Sequence, residues 1–445
     1  TTAQVNRLAK YLNEAKRPVL YAGGGVIAAN AAKDVAALAK RAGIPVATTL
    51  MGIGSFDEND PLSLGLAGMY GTTAANAALA SADVVIALGV RFNDRVTGRD
   101  ILQYVARKKI VHVDCDPSSI EKNVPVTLGI VADIKDLLTT VNSRVKANAR
   151  AAWTARVAAL KREGAETLRP RRRGVISARA VVEAVEKATK GHVILVTDVG
   201  QHQMWCARHF RHAYARHFLS SGGMGTMGFA IPAAIGAAIA KPDHTVVAVV
   251  GDGGAQMTSE ELIVAVEQKL PITFVVMNNR ALGMVNTPIT SPDFVKLAAA
   301  HGMKGVRVAD SKKLDAAIAK GDFDVFHVTA PNYYGKEWEK VVGQKPIVTT
   351  VHDLVFDEIY HDKRTILGRQ ELFAAASAII AVSQHTKDRI IEWYKVPEEK
   401  ITVVYHGVEK VEGVERVSLR DLGEILAKNW QGYEKLRLRM LRSKR

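Results

Sequence analysis

TVVAVVGDGGAQMTSEELIVAVEQKLPITFVVMNNRALGM, residues 245–284, is the stretch that decides the fold. An apolar β-branched run, Val246 to Val250, stops at Gly251-Asp252-Gly253-Gly254; a helical pattern beginning near Thr258 then leads to a second apolar run, Ile272 to Met277. Strand, glycine loop, helix and strand in that order make a parallel α/β unit. The second run ends in Asn278-Asn279, so a carboxylate and a carboxamide are expected at the carboxyl ends of neighbouring strands, where open α/β sheets bind ligands. Mg²⁺ takes hard oxygen ligands, which Asp252 and the Asn279 side-chain oxygen can provide, and shares the rest of its octahedron with phosphate and water. Glycines let the backbone approach an anion, and the following helix turns its amides toward it. Gly-Asp-Gly alone would be an ordinary turn and cap. An Asn pair twenty-seven residues after the Asp, on the next strand, favours a magnesium-diphosphate site.

Outward from this unit, the chain of 445 residues is long enough for two to four domains, and 48% apolar residues suffice for packed cores. No apolar run reaches membrane-spanning length, and TTAQVNRLAKYLNEAKRP at the start has no signal-peptide pattern, so a cytoplasmic enzyme is expected. Cys115 and Cys206 lack both a disulfide framework and zinc-ligand spacing. The net charge of +15 gathers in Arg169 and Arg171 to Arg173, in Arg208, Arg211 and Arg216, and in the tail after Lys435. No aromatic platform accompanies these clusters, so solvated surface is expected rather than nucleic-acid binding.

Residues 1–165 alternate helix and strand: Val5 to Ala15 helical, Pro18 to Tyr21 extended, Gly23-Gly24-Gly25 a turn, Ala31 to Ala42 helical, then strands at Pro45 to Thr48, Asp83 to Leu88 and Lys109 to Val113. This predicts a doubly wound parallel sheet. The glycine triplet suggests a phosphate approach and Asp114-Cys115-Asp116-Pro117 could accept ribose hydroxyls, but turn chemistry explains each equally well. Residues 150–175, a basic, mostly helical stretch ending in the run Leu168 to Gly174, read as an interdomain linker. Residues 166–320 form the second domain. Its helix Ser177 to Ala188, capped by Ser177, and its strand Val193 to Thr197 deliver Asp198 to His202 to the same sheet edge as Asp252.

The Gly-Asp-Gly and Asn-Asn pair at this spacing resembles the thiamine-diphosphate motif. With Ser220 to Ala240 (SSGGMGTMGFAIPAAIGAAIA), Asp198 to Trp205 (DVGQHQMW) and Leu282 to Val285 (LGMV), residues 1–320 resemble the catalytic subunit of acetohydroxyacid synthases, also called acetolactate synthases. The resemblance implies thiamine diphosphate and Mg²⁺ as cofactors, with Asp252, Asn279 and Ala281 as metal ligands. Gln201 and His202 would touch the diphosphate, Gly225, Gly251, Gly253 and Gly254 would line the cofactor, Met227 would lie against the aminopyrimidine ring, and Met257 and Met284 near the reacting centre. With Gly68 to Thr73 (GMYGTT) and Gly89 to Gly98 (GVRFNDRVTG), the first segment resembles the family's central domain, which carries FAD in a structural role; Gly23, Gly24, Gly25, Arg91, Asp114 and Asp133 are then candidate FAD contacts. The implied reaction adds the cofactor's thiazolium carbon to pyruvate, releases carbon dioxide and joins the remaining carbanion to a second 2-oxo acid.

Two departures from the family stand out. In the family the carboxylate that activates the pyrimidine comes from an N-terminal domain this chain does not show, so another chain would have to lend it or the protein is a fragment; a homodimer or higher assembly is expected besides. After Val285 the sequence passes almost at once to Ser291-Pro292-Asp293, without the longer closing segment. From residue 321 the pattern changes. DFDVFHVTAPNYY, KPIVTTVHDLVF and ASAIIAVSQHTKDRIIEWYKVPEEKITVVYHGV resemble part of a GT-B glycosyltransferase over 321–408, with His352, Asp353 and Ser383 at its cleft. A basic helical tail, 409–445, follows. A glycosyltransferase, or a chimera or fragment without complete activity, is the alternative reading.

Overall fold

The computed structural model describes residues 1–98, 101–166, 176–285, 287–310, 313–320 and 324–329, and the short stretches 348–351, 378–381, 391 and 396–403. It forms two compact units, residues 1–332 and 333–445.

The first unit holds two six-stranded sheets. Strands β1 (Pro18–Ala22), β2 (Val46–Thr48), β3 (Ser63–Leu66), β4 (Val84–Leu88), β5 (Lys109–Asp114) and β6 (Leu128–Val131) lie in the order β3-β2-β1-β4-β5-β6, every pair parallel. The connections diverge between β1 and β4, which is the switch point of a doubly wound sheet. Successive side chains go to opposite faces. Leu20, Ile86 and Val111 enter one apolar cluster, and Val19, Tyr21, Val85, Ala87 and Ile110 the other. Burial on both faces is why these strands read as continuous apolar runs rather than as alternations.

The helix Ala151–Glu166 corrects the expectation of a solvated linker. Trp153, Val157 and Leu160 are buried in the first sheet's second cluster, and the Trp153 indole donates to the Pro18 carbonyl at 2.9 Å. Its charges blur an apolar stripe that tertiary packing nevertheless uses. The preceding Arg150 is buried and donates to the carbonyls of Leu12, Ala15 and Ala42, closing the ends of two helices. The rest of the expected linker, 167–175, lies outside the described residues.

The second sheet comprises β7 (Ile194–Thr197), β8 (Phe218–Ser220), β9 (Val246–Gly251), β10 (Ile272–Asn278), β13 (Gly305–Val308) and β14 (Val325–Thr329), with β11 (Ala281–Leu282) and β12 (Thr287–Pro288) forming a small hairpin beside it. The order β13-β14-β10-β9-β7-β8 places its switch point between β7 and β9. Val196, Ala248, Val250 and Phe274 fill one core; Leu195, Val247, Val249 and Val275 fill the other. The run Val325–Thr329, expected to open the third segment, is instead an inner strand here, paired with both β10 and β13. Its apolar residues could serve either sheet, and sequence order alone does not reveal the partner.

Within the second unit, β15 (Val348–Val351), β16 (Ala378–Ala381) and β17 (Ile401–Val403) pair in parallel in that order. His352, Asp353, Ser383 and the basic tail lie outside the described residues.

Candidate active site

The site lies at the carboxyl ends of β7, β9 and β10. The helical pattern expected from near Thr258 is present as Ser259–Glu261 and Leu262–Glu267, and a separate short helix, Asp252–Met257 with Gly251 as its cap, precedes it, so Asp252 occupies a first turn. Two glycines do not prevent helix formation where the next elements pack against the short turn. Met277 of β10 lies opposite Gly251, which brings the Asn278-Asn279 turn beside Asp252.

The Asp252 side chain is buried, and burial raises its pKa above the ordinary carboxylate value; the Ser291 hydroxyl and the backbone amides near Arg280 and Asn279 pull the other way. Ser291 Oγ donates to Asp252 Oδ2 at 2.5 Å. The turn is held by its own carboxamides: Asn278 Oδ1 accepts from the Arg280 amide and Asn279 Oδ1 from the Ala281 amide, both at 3.0 Å. Ala281 pairs with Pro288 across the hairpin. The expected metal residues Asp252, Asn279 and Ala281 therefore come together. Ala281 has only a backbone oxygen to offer.

His202 sits between two glycines. A Cβ on Gly251 would stand 2.9 Å from His202 Nδ1, and one on Gly200 3.0 Å from the same atom. Its ring is buried, its Nε2 has no hydrogen-bond partner, and burial lowers its pKa to about 4, so it is neutral at pH 7. An orphaned, buried imidazole nitrogen beside a glycine-walled helix N-terminus suits an anionic oxygen. Gln201 Nε2 donates to the Gly283 carbonyl at 2.8 Å, tying the β7 loop to the hairpin.

Gly253 marks the centre of the cradle. A Cβ there would meet Leu282 Cδ2 at 2.5 Å, Ile289 Cδ1 at 3.3 Å and Met227 Cε at 3.3 Å. Met227 thus lies against the Gly251–Gly254 loop. Gly225, with φ +67°, is exposed in the same loop. Met257 and Met284 are about half exposed, Met257 adjoining Gly228 and Met284 in the hairpin turn.

Sequence reasoning gave no role to Asp198 or Ser291. Asp198 is fully buried, and its oxygens accept from the amides of Val199 at 2.7 Å, Gly228 at 3.1 Å and Ala230 at 3.1 Å. It pins the loop carrying Met227 and also abuts Gly254, whose Cβ would stand 2.5 Å from Asp198 Oδ1. An acid at a strand end next to an invited glycine loop was the available signal. Beneath it, the Ser220 hydroxyl joins Thr197 Oγ1 at 2.8 Å and Gln203 Nε2 at 2.7 Å.

The expected FAD residues share the carboxyl edge of the first sheet but already have local partners. A Cβ on Gly23 would stand 2.0 Å from the Gly89 carbonyl oxygen, one on Gly25 2.7 Å from Gly89 Cα, and one on Gly24 3.2 Å from Met51 Cβ. Asp133 caps the helix Ile134–Asn142, Asp114 Oδ1 accepts from the Asp116 amide, and the exposed Arg91 accepts through its carbonyl from Asn123. Cys115 is exposed and Cys206 buried, both unpaired. Among the described residues no helix is long and apolar enough to cross a membrane.

A parallel sheet with this switch-point cradle is the architecture of a diphosphate-cofactor enzyme, and comparison with known families agrees. Residues 5–141 match the thiamine pyrophosphate enzyme central domain and residues 198–324 its C-terminal TPP-binding domain. Residues 5–141 and 198–324 of this chain are thus the central and C-terminal domains of a thiamine pyrophosphate enzyme. Among its relatives, a probable acetolactate synthase large subunit of Methanocaldococcus jannaschii is 41% identical over 347 residues, covering 72% of this chain and 58% of that protein. The acetolactate synthase large subunit of Haemophilus influenzae is 37% identical over 335 residues (71% and 58%), and the chloroplastic acetolactate synthase 1 of Zea mays 38% over 349 (72% and 54%). The chain spans less than two thirds of the length of these relatives.

Proposed function

We propose that this chain is the cofactor-binding part of a thiamine-diphosphate-dependent synthase of the acetolactate type, condensing two 2-oxo acids, pyruvate foremost, to a 2-hydroxy-2-acyl acid with loss of carbon dioxide. The single observation that carries the reading is the meeting of buried Asp252, the Asn279 turn and the unpartnered His202 Nε2 around one glycine-walled helix N-terminus. Asp252, Asn279 and the Ala281 carbonyl would hold Mg²⁺, and His202 and Gln201 the diphosphate. When bound, the coenzyme supplies the carbon nucleophile and the electron sink.

The residues of this chain bind and orient. The amides at the start of Asp252–Met257 and the absence of side chains at Gly253 and Gly254 let the diphosphate approach the backbone. Met227, held by the loop that Asp198 pins, would support the coenzyme, while the half-exposed Met257 and Met284 would flank it and limit its access to water. FAD would bind the carboxyl edge of the first sheet, near Gly23 to Gly25, Arg91, Asp114 and Asp133, in a structural role; the β1/β4 switch point and the family match of residues 5–141 support this. Two unpaired thiols, one exposed, support a reducing, cytoplasmic setting. For the second unit, the parallel β15-β16-β17 set supports an α/β segment of the GT-B kind.

Calorimetry of thiamine diphosphate binding with and without Mg²⁺ tests the reading. Binding that requires Mg²⁺ and weakens by about 100-fold or more in Asp252→Ala is the expected result, since loss of a direct ligand costs more than loss of its outer support. Equal affinity in the two proteins would overturn it.

A further inference from the structure

The Asp252 carboxylate has a partner that neither the family match nor the motif assigns. Ser291 Oγ donates to Asp252 Oδ2 at 2.5 Å, across 39 residues of sequence. The serine is held in place from both sides. Before it, the β11–β12 hairpin continues as the Ile289 amide donates to the Arg280 carbonyl at 3.0 Å. After it, Asp293 caps the helix Phe294–Ala300 by accepting from the amides of Val295 at 3.1 Å and Lys296 at 3.4 Å, and meets Arg307 at 2.5 Å. Pro288 and Pro292 stiffen the path between them. The hairpin also lays Leu282 and Ile289 over Gly253, so the segment bearing Ser291 roofs the cradle.

A carboxylate that binds a cation through one oxygen is oriented by a hydrogen bond to the other, and such outer partners set metal affinity by about 10- to 100-fold. We propose that Ser291 is a positioning residue for the metal site: its hydroxyl holds Asp252 through Oδ2 so that the carboxylate meets Mg²⁺ already aligned. Resting on the metal-diphosphate reading, the proposal adds a residue outside both halves of its motif. Ser291 acts through Asp252 and touches neither the coenzyme nor the reacting atoms.

The test measures the Mg²⁺ concentration giving half-maximal thiamine diphosphate binding, by calorimetry, in the full chain and in Ser291→Ala, Ser291→Thr and Asp252→Ala, with thermal melting to show that each is folded. Ser291→Ala should raise the half-saturating Mg²⁺ about tenfold, Ser291→Thr should restore it to within about threefold by keeping the hydroxyl, and Asp252→Ala should lose the Mg²⁺ response. Should Ser291→Ala bind Mg²⁺ as well as or better than the unaltered chain while Asp252→Ala fails, the proposal for Ser291 is overturned and the metal site stands. If the unaltered chain shows no Mg²⁺-dependent binding, the functional reading fails, and the proposal with it.

Discussion

Both six-stranded sheets place a glycine run directly after a central strand, yet different atoms fill the space the missing side chains leave. At Gly23 to Gly25 the neighbours are mostly backbone, the Gly89 carbonyl and Cα, with Met51 beside them, and the nearby acids cap helices or turns. At Gly251 to Gly254 the neighbours are side chains: His202, Leu282, Met227 and Asp198. One edge uses glycine to bring two strand ends together; the other uses it to bring functional groups up to the main chain. What occupies the absent Cβ position, rather than the glycine itself, tells the two edges apart.

Breaking the second edge at its anchor should have the largest effect on stability. Asp198→Ala leaves the buried amides of Val199, Gly228 and Ala230 without their acceptor and should cost on the order of 3 kcal/mol in chemical denaturation. Thiamine diphosphate binding should be lost with it, because the Met227 loop is released. An unchanged unfolding midpoint would show that the loop holds itself.

A matched pair of glycine substitutions sharpens the contrast. Gly23→Ala drives a methyl into the Gly89 carbonyl and should cost about 1–3 kcal/mol of stability while leaving coenzyme affinity in the folded protein within about twofold. Gly253→Ala meets the flexible tips of Leu282, Ile289 and Met227; stability should fall by less than about 1 kcal/mol while affinity drops roughly tenfold. The reverse pattern in denaturation and calorimetry would contradict the division of roles.

The gentlest probe is pH. His202, His209 and His212 are pushed by burial to about 4, so between that value and the ordinary histidine value the unfolded chain binds more protons and stability rises with pH. Glu58, whose Oε2 accepts from the His212 amide at 3.1 Å, is raised by burial to about 8; it stays protonated when folded, so it lowers stability as pH rises from the ordinary glutamate value to about 8. Where the windows overlap the three histidines outweigh the single acid. Thermal melting should therefore peak near the ordinary histidine pKa, about 6.5, and Glu58→Gln should flatten the decline above it. A melting temperature still climbing from pH 7 to pH 8 would exclude the buried, protonated acid.

Much of the site was legible because its parts are local. Strand ends, glycines and an Asn pair obey short-range rules, so Asp252 and Asn279 could be named before their geometry was known, whereas Met227 and His202 were named only by resemblance to the family. Ser291 could not, because nothing in Ser-Pro-Asp separates a helix start from a partner for a carboxylate 39 residues earlier. The Trp153 helix was misread as a linker for a related reason: its charges dominate the composition while three apolar side chains decide where it packs.

The sequence by itself determined the parallel α/β class, the position of the cradle and the residue types able to hold a divalent cation and an anion. Periodicity and turn chemistry are written residue by residue. Only the tertiary structure decided the strand order that puts the β7 and β9 loops side by side, the inclusion of β14 in the second sheet, and the pairing of Asp198 and Ser291 with their distant targets. Each of those depends on which apolar faces bury one another, a choice among many nearly equivalent surfaces that is settled by packing over the whole domain rather than by any local stretch.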